Sequence, residues 1–178
     1  MASLVPYQLT DSKVVQYNPK YPEIFQLLKD LISAQLPNIE IEHIGSTAIP
    51  GIFAKPIIDI LIPCSKQDFT NILNKLKAIG FENTPFTNIP KERPMLVAGI
   101  NFQQNFYNVH LHLTPKGSDV HINNIFFRDK LRQNPTLAQE YDRLKKAAVT
   151  SGIVEATAYN IYKSPFIQSV LQQRTSCN

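Results

Sequence analysis

The chain has 178 residues, a length that suits one compact unit, and we expect a single domain over residues 1–178. Hydrophobic residues make up 43% of the sequence and charged residues 18%, a balance that excludes an intrinsically disordered chain. The net charge of +4 favours small anionic ligands over nucleic acid. The two cysteines lie far apart in the sequence, which excludes a disulfide framework. The sequence has neither a signal peptide nor an apolar run of membrane length, so we expect a cytoplasmic protein without membrane contact.

The chain begins with a helix and two strands. Apolar residues recur at helical spacing over residues 18–37, with prolines near both ends, which predicts a helix. Residues 38–45 alternate between isoleucine and polar side chains, which predicts a half-buried strand that ends at Gly45. Residues 55–63 are apolar on both faces, which is typical of a central strand.

The middle of the chain completes the predicted sheet. Residues 65–80 carry an apolar stripe at helical spacing and predict a second helix, with Gly80 as its C-terminal cap. Residues 81–105 are rich in proline and asparagine, which indicates irregular strands or a hairpin. Residues 108–115 alternate again and predict a strand with two histidines on its polar face.

From about residue 119 the pattern becomes helical. We expect three helical segments, of which the second begins with Asn134 as N-cap and Pro135 in its first turn. The third segment contains Pro165, which predicts a kink or a break. The order of elements indicates an α+β or α/β fold, with the sheet in about residues 1–118 and a helical C-terminal half over about 119–178.

A glycine-serine pair and a single aspartate form the first candidate site. Gly45 and Ser46 end one predicted strand, and backbone N–H groups with a serine hydroxyl can hold phosphate oxygens. Asp59 lies on the next strand, where a rigid carboxylate can hold a divalent metal, and Lys55 lies between them as a countercharge. In the alternative interpretation, Gly45 and Ser46 form a turn and Asp59 accepts hydrogen bonds that orient neighbouring loops.

Five segments carry a resemblance to a known family. They are "IEHIGSTAIPGIFAKPIIDILI", "VVQYNPKYPEIF", "VHLHLTP", "IFFRDKLRQNPTLAQEYDRLKKAA" and "YNIYKSPFI". Together they resemble the GrpB family, which is similar to the nucleotidyltransferase superfamily. The resemblance implies a small mixed β-sheet flanked by helices. It also implies that Gly-Ser holds nucleotide phosphates, and that two carboxylates of a D-x-D or D-x-E strand and a third on a later strand bind metal while an acceptor hydroxyl attacks the α-phosphate.

The sequence departs from that pattern at position 61. Strand parity places residues 59 and 61 on one face, yet the second carboxylate is replaced by Leu61. On the later strand the polar face presents His110 and His112, and imidazole suits Mn²⁺ or Zn²⁺ better than Mg²⁺. We predict that His112 either binds a metal together with Asp59 or acts as a general base. The alternative is that both histidines are polar groups on an exposed face.

Further residues are candidates for the same site. His43 is predicted to orient Asp59 or to line the site, or else to be a half-buried histidine with satisfied hydrogen bonds. Arg128 is predicted to bind phosphate through its planar guanidinium, or else to tie the helical half to the sheet through a carboxylate. Tyr159 and Lys163 share a helix face and either close the site or pack the last helix. The candidate site-lining residues are Glu42, His43, His110 and Lys163.

Two functions are compatible with these residues. The first is a nucleotidyltransferase-like enzyme that transfers a nucleotidyl group from a nucleoside triphosphate to an unknown hydroxyl acceptor, with one divalent metal (Mg²⁺, or Mn²⁺ or Zn²⁺ if His112 is a ligand). The second is a non-catalytic module on a degenerate fold that binds a nucleotide, a phosphorylated metabolite or a protein partner. Nucleic acid is not expected, because the basic residues are not interleaved with aromatic ones on one face.

Overall fold

In a computed structural model, residues 3–9, 13–87, 89–153 and 155–175 are described, and these form six strands and five α-helices. Short 3₁₀ turns lie at Ser46–Ala48 and Lys66–Asp68. The strands are β1 (Leu4–Val5), β2 (Glu42–Ile44), β3 (Ile57–Cys64), β4 (Glu82–Asn83), β5 (Met95–Phe102) and β6 (Asn105–Pro115). The helices are α1 (Tyr21–Gln35), α2 (Phe69–Ala78), α3 (Asp119–Gln133), α4 (Pro135–Thr150) and α5 (Ala156–Thr175).

The strands form one mixed sheet in the order β1-β5-β6-β3-β2, and β4 also pairs with β5. β3 and β6 are parallel, whereas the other neighbouring strands are antiparallel. β3 therefore lies between two partners, which agrees with the central strand predicted over residues 55–63. β2 lies at the end of the sheet and is only three residues long, shorter than the strand predicted over residues 38–45.

The two faces of β3 and β6 have different chemistry. The register pairs Asp59 with His110 and Leu61 with His112, so these four side chains share one face. The opposite face is aliphatic and packs against α1 and α2 in the main hydrophobic core. From β3 and β6 this core takes Ile58, Ile60, Ile62, Val109, Leu111 and Leu113.

Most of the remaining predicted elements are present, with two differences. Residues 95–115 form a regular hairpin whose turn residues Gln103 and Gln104 have positive φ angles of 46° and 66°, as a tight two-residue turn requires. Helix α5 continues through Pro165, so the predicted break is absent, while the alternative, a kink, stays a prediction. Asn134 caps α4 as expected, because its side chain accepts a hydrogen bond from the N–H of Leu137.

The helical half is joined to the sheet by a second core and by one arginine. Arg128 of α3 donates from Nη1 to Glu42 Oε2 at 2.5 Å and to the carbonyl oxygen of His43 at 2.9 Å. Both acceptors belong to β2, so α3 is fixed to the end of the sheet. The second core contains Ile49, Ile52, Leu131, Ala138, Tyr141 and Val170. Among the described residues, no helix has the length and apolar character needed to cross a membrane.

Candidate functional site

Asp59, His110 and His112 form a cluster on the polar face of the sheet. His110 Nδ1 lies 3.6 Å from Asp59 Oδ1, and His112 Nε2 lies 3.9 Å from the same oxygen. One ligand atom from each residue lies within 4.8 Å of the others. Donor atoms around an ion with bonds of 2.0–2.2 Å are about 3.3–3.6 Å apart in tetrahedral geometry. The three side chains therefore need to move little to bind one ion.

The donor set selects the kind of metal. Two imidazoles and one carboxylate suit Zn²⁺, Mn²⁺ or Fe²⁺, whereas Mg²⁺ prefers oxygen ligands only. The exposed fractions of the side chains are 27% for Asp59, 15% for His110 and 22% for His112, so the cluster is open on one side. An ion held there retains coordination positions for water or for a ligand oxygen. The arrangement fits a single catalytic or ligand-binding metal rather than a closed structural site.

Tyr7 supports the cluster from outside. Its hydroxyl lies 3.2 Å from His110 Nε2, so the second ring nitrogen of His110 is occupied while Nδ1 points to Asp59. Phe86 contacts His110 edge-on, with ring centroids 5.8 Å apart. Burial lowers the pKa of His110, against the opposing effect of Asp59, which favours the neutral imidazole that a metal requires. Tyr7 carries no signal in the sequence, because it lies outside any periodic segment and about a hundred residues from its partner.

Two lysines provide positive charge beside the cluster. Lys55 Nζ and Lys163 Nζ lie 5.2 Å and 4.2 Å from the centre of the Tyr159 ring, so the ring lies close to both ammonium groups. Burial lowers the pKa of Lys163 to about 8, with Asp59 opposing that shift and Lys55 adding to it. The charge of Lys163 is thus coupled to the carboxylate of Asp59, and the charge of Lys55 to the imidazole of His110.

Gly45 lies directly against the carboxylate of Asp59. Its φ angle is +71°, a conformation that favours glycine, and a Cβ atom at this position would lie 2.2 Å from Asp59 Oδ2. Ser46 follows at the start of the 3₁₀ turn, where its side chain hydrogen-bonds with Tyr141 of α4. The glycine is therefore explained by its close approach to Asp59, and a role of Gly45 and Ser46 in phosphate binding stays a prediction.

Position 61 is closed to a metal ion. Leu61 is fully buried, and its register neighbours are Glu42 on β2 and His112 on β6. Glu42 accepts the hydrogen bond from Arg128, and Arg128 also binds Asp129 through Nε at 2.7 Å. The arginine forms the tie between the helical half and the sheet, which was the alternative to phosphate binding. We therefore leave Glu42 and Arg128 out of the proposed site.

His43 does not share a face of the sheet with Asp59. Its register partner is Ile60, so its ring lies on the opposite face of the sheet, where it stacks on Phe25 at 4.7 Å. Its Nε2 lies 3.0 Å from the hydroxyl of Thr47, and burial lowers its pKa to about 4. This is the buried histidine with satisfied hydrogen bonds that the sequence left as an alternative.

Comparisons with known proteins agree with the resemblance found in the sequence. The sequence profile of the family described as GrpB protein matches residues 11–173. The glutamate-rich protein GrpB of Alkalihalophilus pseudofirmus is 33% identical over 83% of this chain and 84% of its own length. A UPF0157 protein of Vibrio cholerae is 31% identical over 90% of this chain and 81% of its own length.

Solved structures agree on the fold. The crystal structure of the conserved protein GrpB from Enterococcus faecalis has a TM-score of 0.72 at 27% identity, covering 90% of this chain and 96% of that chain. A chain of the GLD-2/RNP-8 complex has a TM-score of 0.50 at 16% identity, covering 85% of this chain and 59% of that chain. This second likeness shows the fold alone. The predicted nucleotidyltransferase-like mixed sheet flanked by helices is confirmed.

The contact between Gly45 and Asp59 generates a prediction about stability. In Gly45→Ala the new methyl group meets the Asp59 carboxylate and the backbone conformation is strained. We expect the free energy of unfolding to fall by about 3 kcal/mol, as the sum of overpacking and of left-handed strain. Equilibrium unfolding in urea measures the change.

Gly51→Ala is the matched control. Gly51 also has a positive φ angle, of 83°, but a Cβ atom there meets nothing within 4 Å. We expect this variant to lose only about 1 kcal/mol, from backbone strain alone. Equal losses in the two variants would show that the approach of Gly45 to Asp59 is not the constraint described here.

Proposed function

The chain belongs to the GrpB protein family, and we propose that it binds a nucleoside triphosphate at one divalent transition-metal ion and transfers its nucleotidyl group to a hydroxyl acceptor. The observation that carries this proposal is the cluster of Asp59, His110 and His112, with Lys55 and Lys163 beside it. The nucleotidyltransferase-like fold supports the same reaction class. The acceptor is a small molecule or a protein hydroxyl.

Each group of the site has a proposed role. A metal ion bound by Asp59, His110 and His112 would act as a Lewis acid on an α-phosphate oxygen. Lys55 and Lys163 hold the negative charge of the phosphate chain, and Lys163 does so while it is protonated. Tyr7 keeps the ring of His110 in the orientation that presents Nδ1. The acceptor oxygen would form its bond to the α-phosphorus as the bond to pyrophosphate breaks, and the hydroxyl proton would pass to solvent water at the open side of the cluster.

A second function is favoured by one specific observation. Leu61 is fully buried at the position where the superfamily pattern has its second carboxylate, and a single carboxylate does not supply the ligands of the usual two-metal centre. In this alternative the same metal and the same lysines bind a nucleotide or a phosphorylated metabolite without turnover. The protein would then be a binding or partner module, and ligand binding without pyrophosphate release would identify it.

Metal binding is the first prediction of the proposed function. We expect Zn²⁺ or Mn²⁺ to raise the melting temperature of the chelator-treated protein, because a ligand that binds the folded state stabilises it by about 2.7 kcal/mol at a hundredfold excess over Kd. The shift should be lost in Asp59→Asn, His110→Ala and His112→Ala, and Mg²⁺ alone should give a smaller shift. His121→Ala is the control, since His121 is a histidine outside the cluster. A response that persists in the Asp59 and histidine variants would contradict the site.

Turnover is the second prediction. The metal-loaded protein is incubated with each of the four ribonucleoside triphosphates and with heat-treated cell extract as a source of acceptors, and pyrophosphate is measured. We expect release that depends on the metal and that falls at least about a hundredfold in Asp59→Asn, from the loss of several kcal/mol of charge stabilisation. Binding of a triphosphate without any release would reject transfer and support the binding module.

The pH dependence of ligand binding is the third prediction. Lys163 is protonated below its pKa of about 8 and neutral above it. We therefore expect the affinity of the metal-loaded protein for ATP to fall by about tenfold as the pH rises above 8, since a lost charge-assisted contact is equivalent to about 1.4 kcal/mol. Isothermal titration calorimetry between pH 7 and 10 measures the change.

Lys163→Arg provides the test of that assignment, because arginine stays charged throughout this range. The variant should retain its affinity above pH 8. Lys75→Arg, an exposed position on α2, should keep the wild-type profile. If Lys163→Arg shows the same loss as the wild type, another group causes the pH dependence.

A further inference from the structure

We propose that the cavity beside the outer edge of β2 is a second binding site, which takes a small organic anion with an apolar body and is separate from the Asp59 cluster. The cavity measures about 610 Å³, within the range of small-molecule sites. It lies between α1, the turn that follows β2, and the residues at the junction of α3 and α4. Neither Asp59 nor its two histidine partners line it, so this inference does not depend on the proposed function.

The charge of the cavity favours an anion. Lys29, Arg128 and Arg132 line it together with the carboxylate of Glu42. Arg128 is matched by Glu42 and by Asp129, which it binds at 2.5 Å and 2.7 Å. Arg132 reaches Asp129 only at 3.7 Å, beyond hydrogen-bond distance. Arg132 and Lys29 thus provide an excess of positive charge over the cavity.

Arg132 is held in place by the turn itself. Its Nε donates to the carbonyl oxygen of Ala48 at 2.7 Å, and Ala48 is a lining residue of the cavity. The guanidinium is planar, and a hydrogen bond through Nε fixes its orientation while leaving the two terminal nitrogens to recognise carboxylate or phosphate. The arginine is therefore oriented before a ligand arrives.

The aromatic part of the wall is neutral and rigid. Phe25 and His43 stack at 4.7 Å with an angle of 10° between their planes, and Tyr17 lies on the same wall. Burial lowers the pKa of His43 to about 4, so its ring is uncharged near neutral pH. Next to the cationic residues, this surface suits the apolar body of an organic anion better than an inorganic ion.

The cavity also accounts for residues of the segment 41–62, "IEHIGSTAIPGIFAKPIIDILI", that do not contribute to the Asp59 cluster. Gly45 packs against Asp59, whereas His43, Thr47, Ala48 and Pro50 line the cavity. Thr47 is buried, donates its hydroxyl to the carbonyl oxygen of Ile57, and contacts His43 Nε2. The motif therefore forms the border of two sites, one on each side of the turn.

Phenyl phosphate is the probe for this site, titrated into the full-length protein in the presence of a chelator and followed by amide NMR shifts. We expect saturable binding with Kd of about 1 mM or below. Arg132→Gln and Lys29→Gln should each weaken it at least about tenfold, and Arg132→Lys should weaken it less than Arg132→Gln because it keeps the charge. Arg143→Gln, an exposed arginine of α4, is the matched control and should leave the affinity unchanged, as should Asp59→Asn.

Lys29→Gln changes a surface of α1 outside the hydrophobic cores, so it tests the site even if Arg132→Gln disturbs the turn. Three results would overturn the inference. The first is that phenyl phosphate shows no saturable binding up to about 10 mM. The second is that inorganic phosphate binds with the same affinity as phenyl phosphate. The third is that Asp59→Asn weakens the binding of phenyl phosphate whereas the Arg132 and Lys29 variants do not. Because the titration contains no metal, a negative result would not bear on the proposed metal site at Asp59. That site is tested separately by the change in melting temperature with Zn²⁺ or Mn²⁺.

Discussion

The parallel pairing of β3 with β6 is the constraint on which the rest of the structure depends. The register places Asp59 beside His110 and Leu61 beside His112, while the alternate residues of both strands enter the main core. A shift of one residue in either strand would exchange its two faces, burying a charged or imidazole side chain in the aliphatic core. The burial of the isoleucine and leucine side chains therefore also fixes the positions of the proposed metal ligands.

The close approach of Gly45 to Asp59 links β3 to the turn that follows β2 and, through that turn, to the helical half. Since the carboxylate occupies the space of a Cβ atom, the turn at residues 46–48 is held against β3. The helical half then packs on that turn, through the second core and through the hydrogen bond from Arg132 to Ala48. This turn thus connects the polar face of the sheet, the cavity beside β2 and the helical half, in which α5 carries Lys163.

Local patterns in the sequence were sufficient to predict the helices and strands and part of the candidate site. Alternation over residues 108–115 and the apolar segment 55–63 predicted which side chains share a face, and the family resemblance supplied the nucleotidyltransferase-like sheet. Pairing between distant segments is not encoded locally, so the contact of Tyr7 with His110 had no signal in the sequence. The tie formed by Arg128 was left as one of two alternatives, because an arginine recognises a carboxylate and a phosphate through the same geometry.

The apolar side chain of Leu61 suits the buried environment of position 61. Leu61 is fully buried, so an acid there would lose its hydration and would require a second cation or a buried partner. With imidazoles on β6, the cluster carries one negative charge instead of the several that a two-metal centre needs. In the proposed function, Lys55 and Lys163 supply the positive charge that a second ion would bring to a phosphate chain, and the charge of Lys163 is coupled to that of Asp59. Leu61, the two histidines and the two lysines are therefore all consistent with the proposed site for a single metal ion and an anionic ligand.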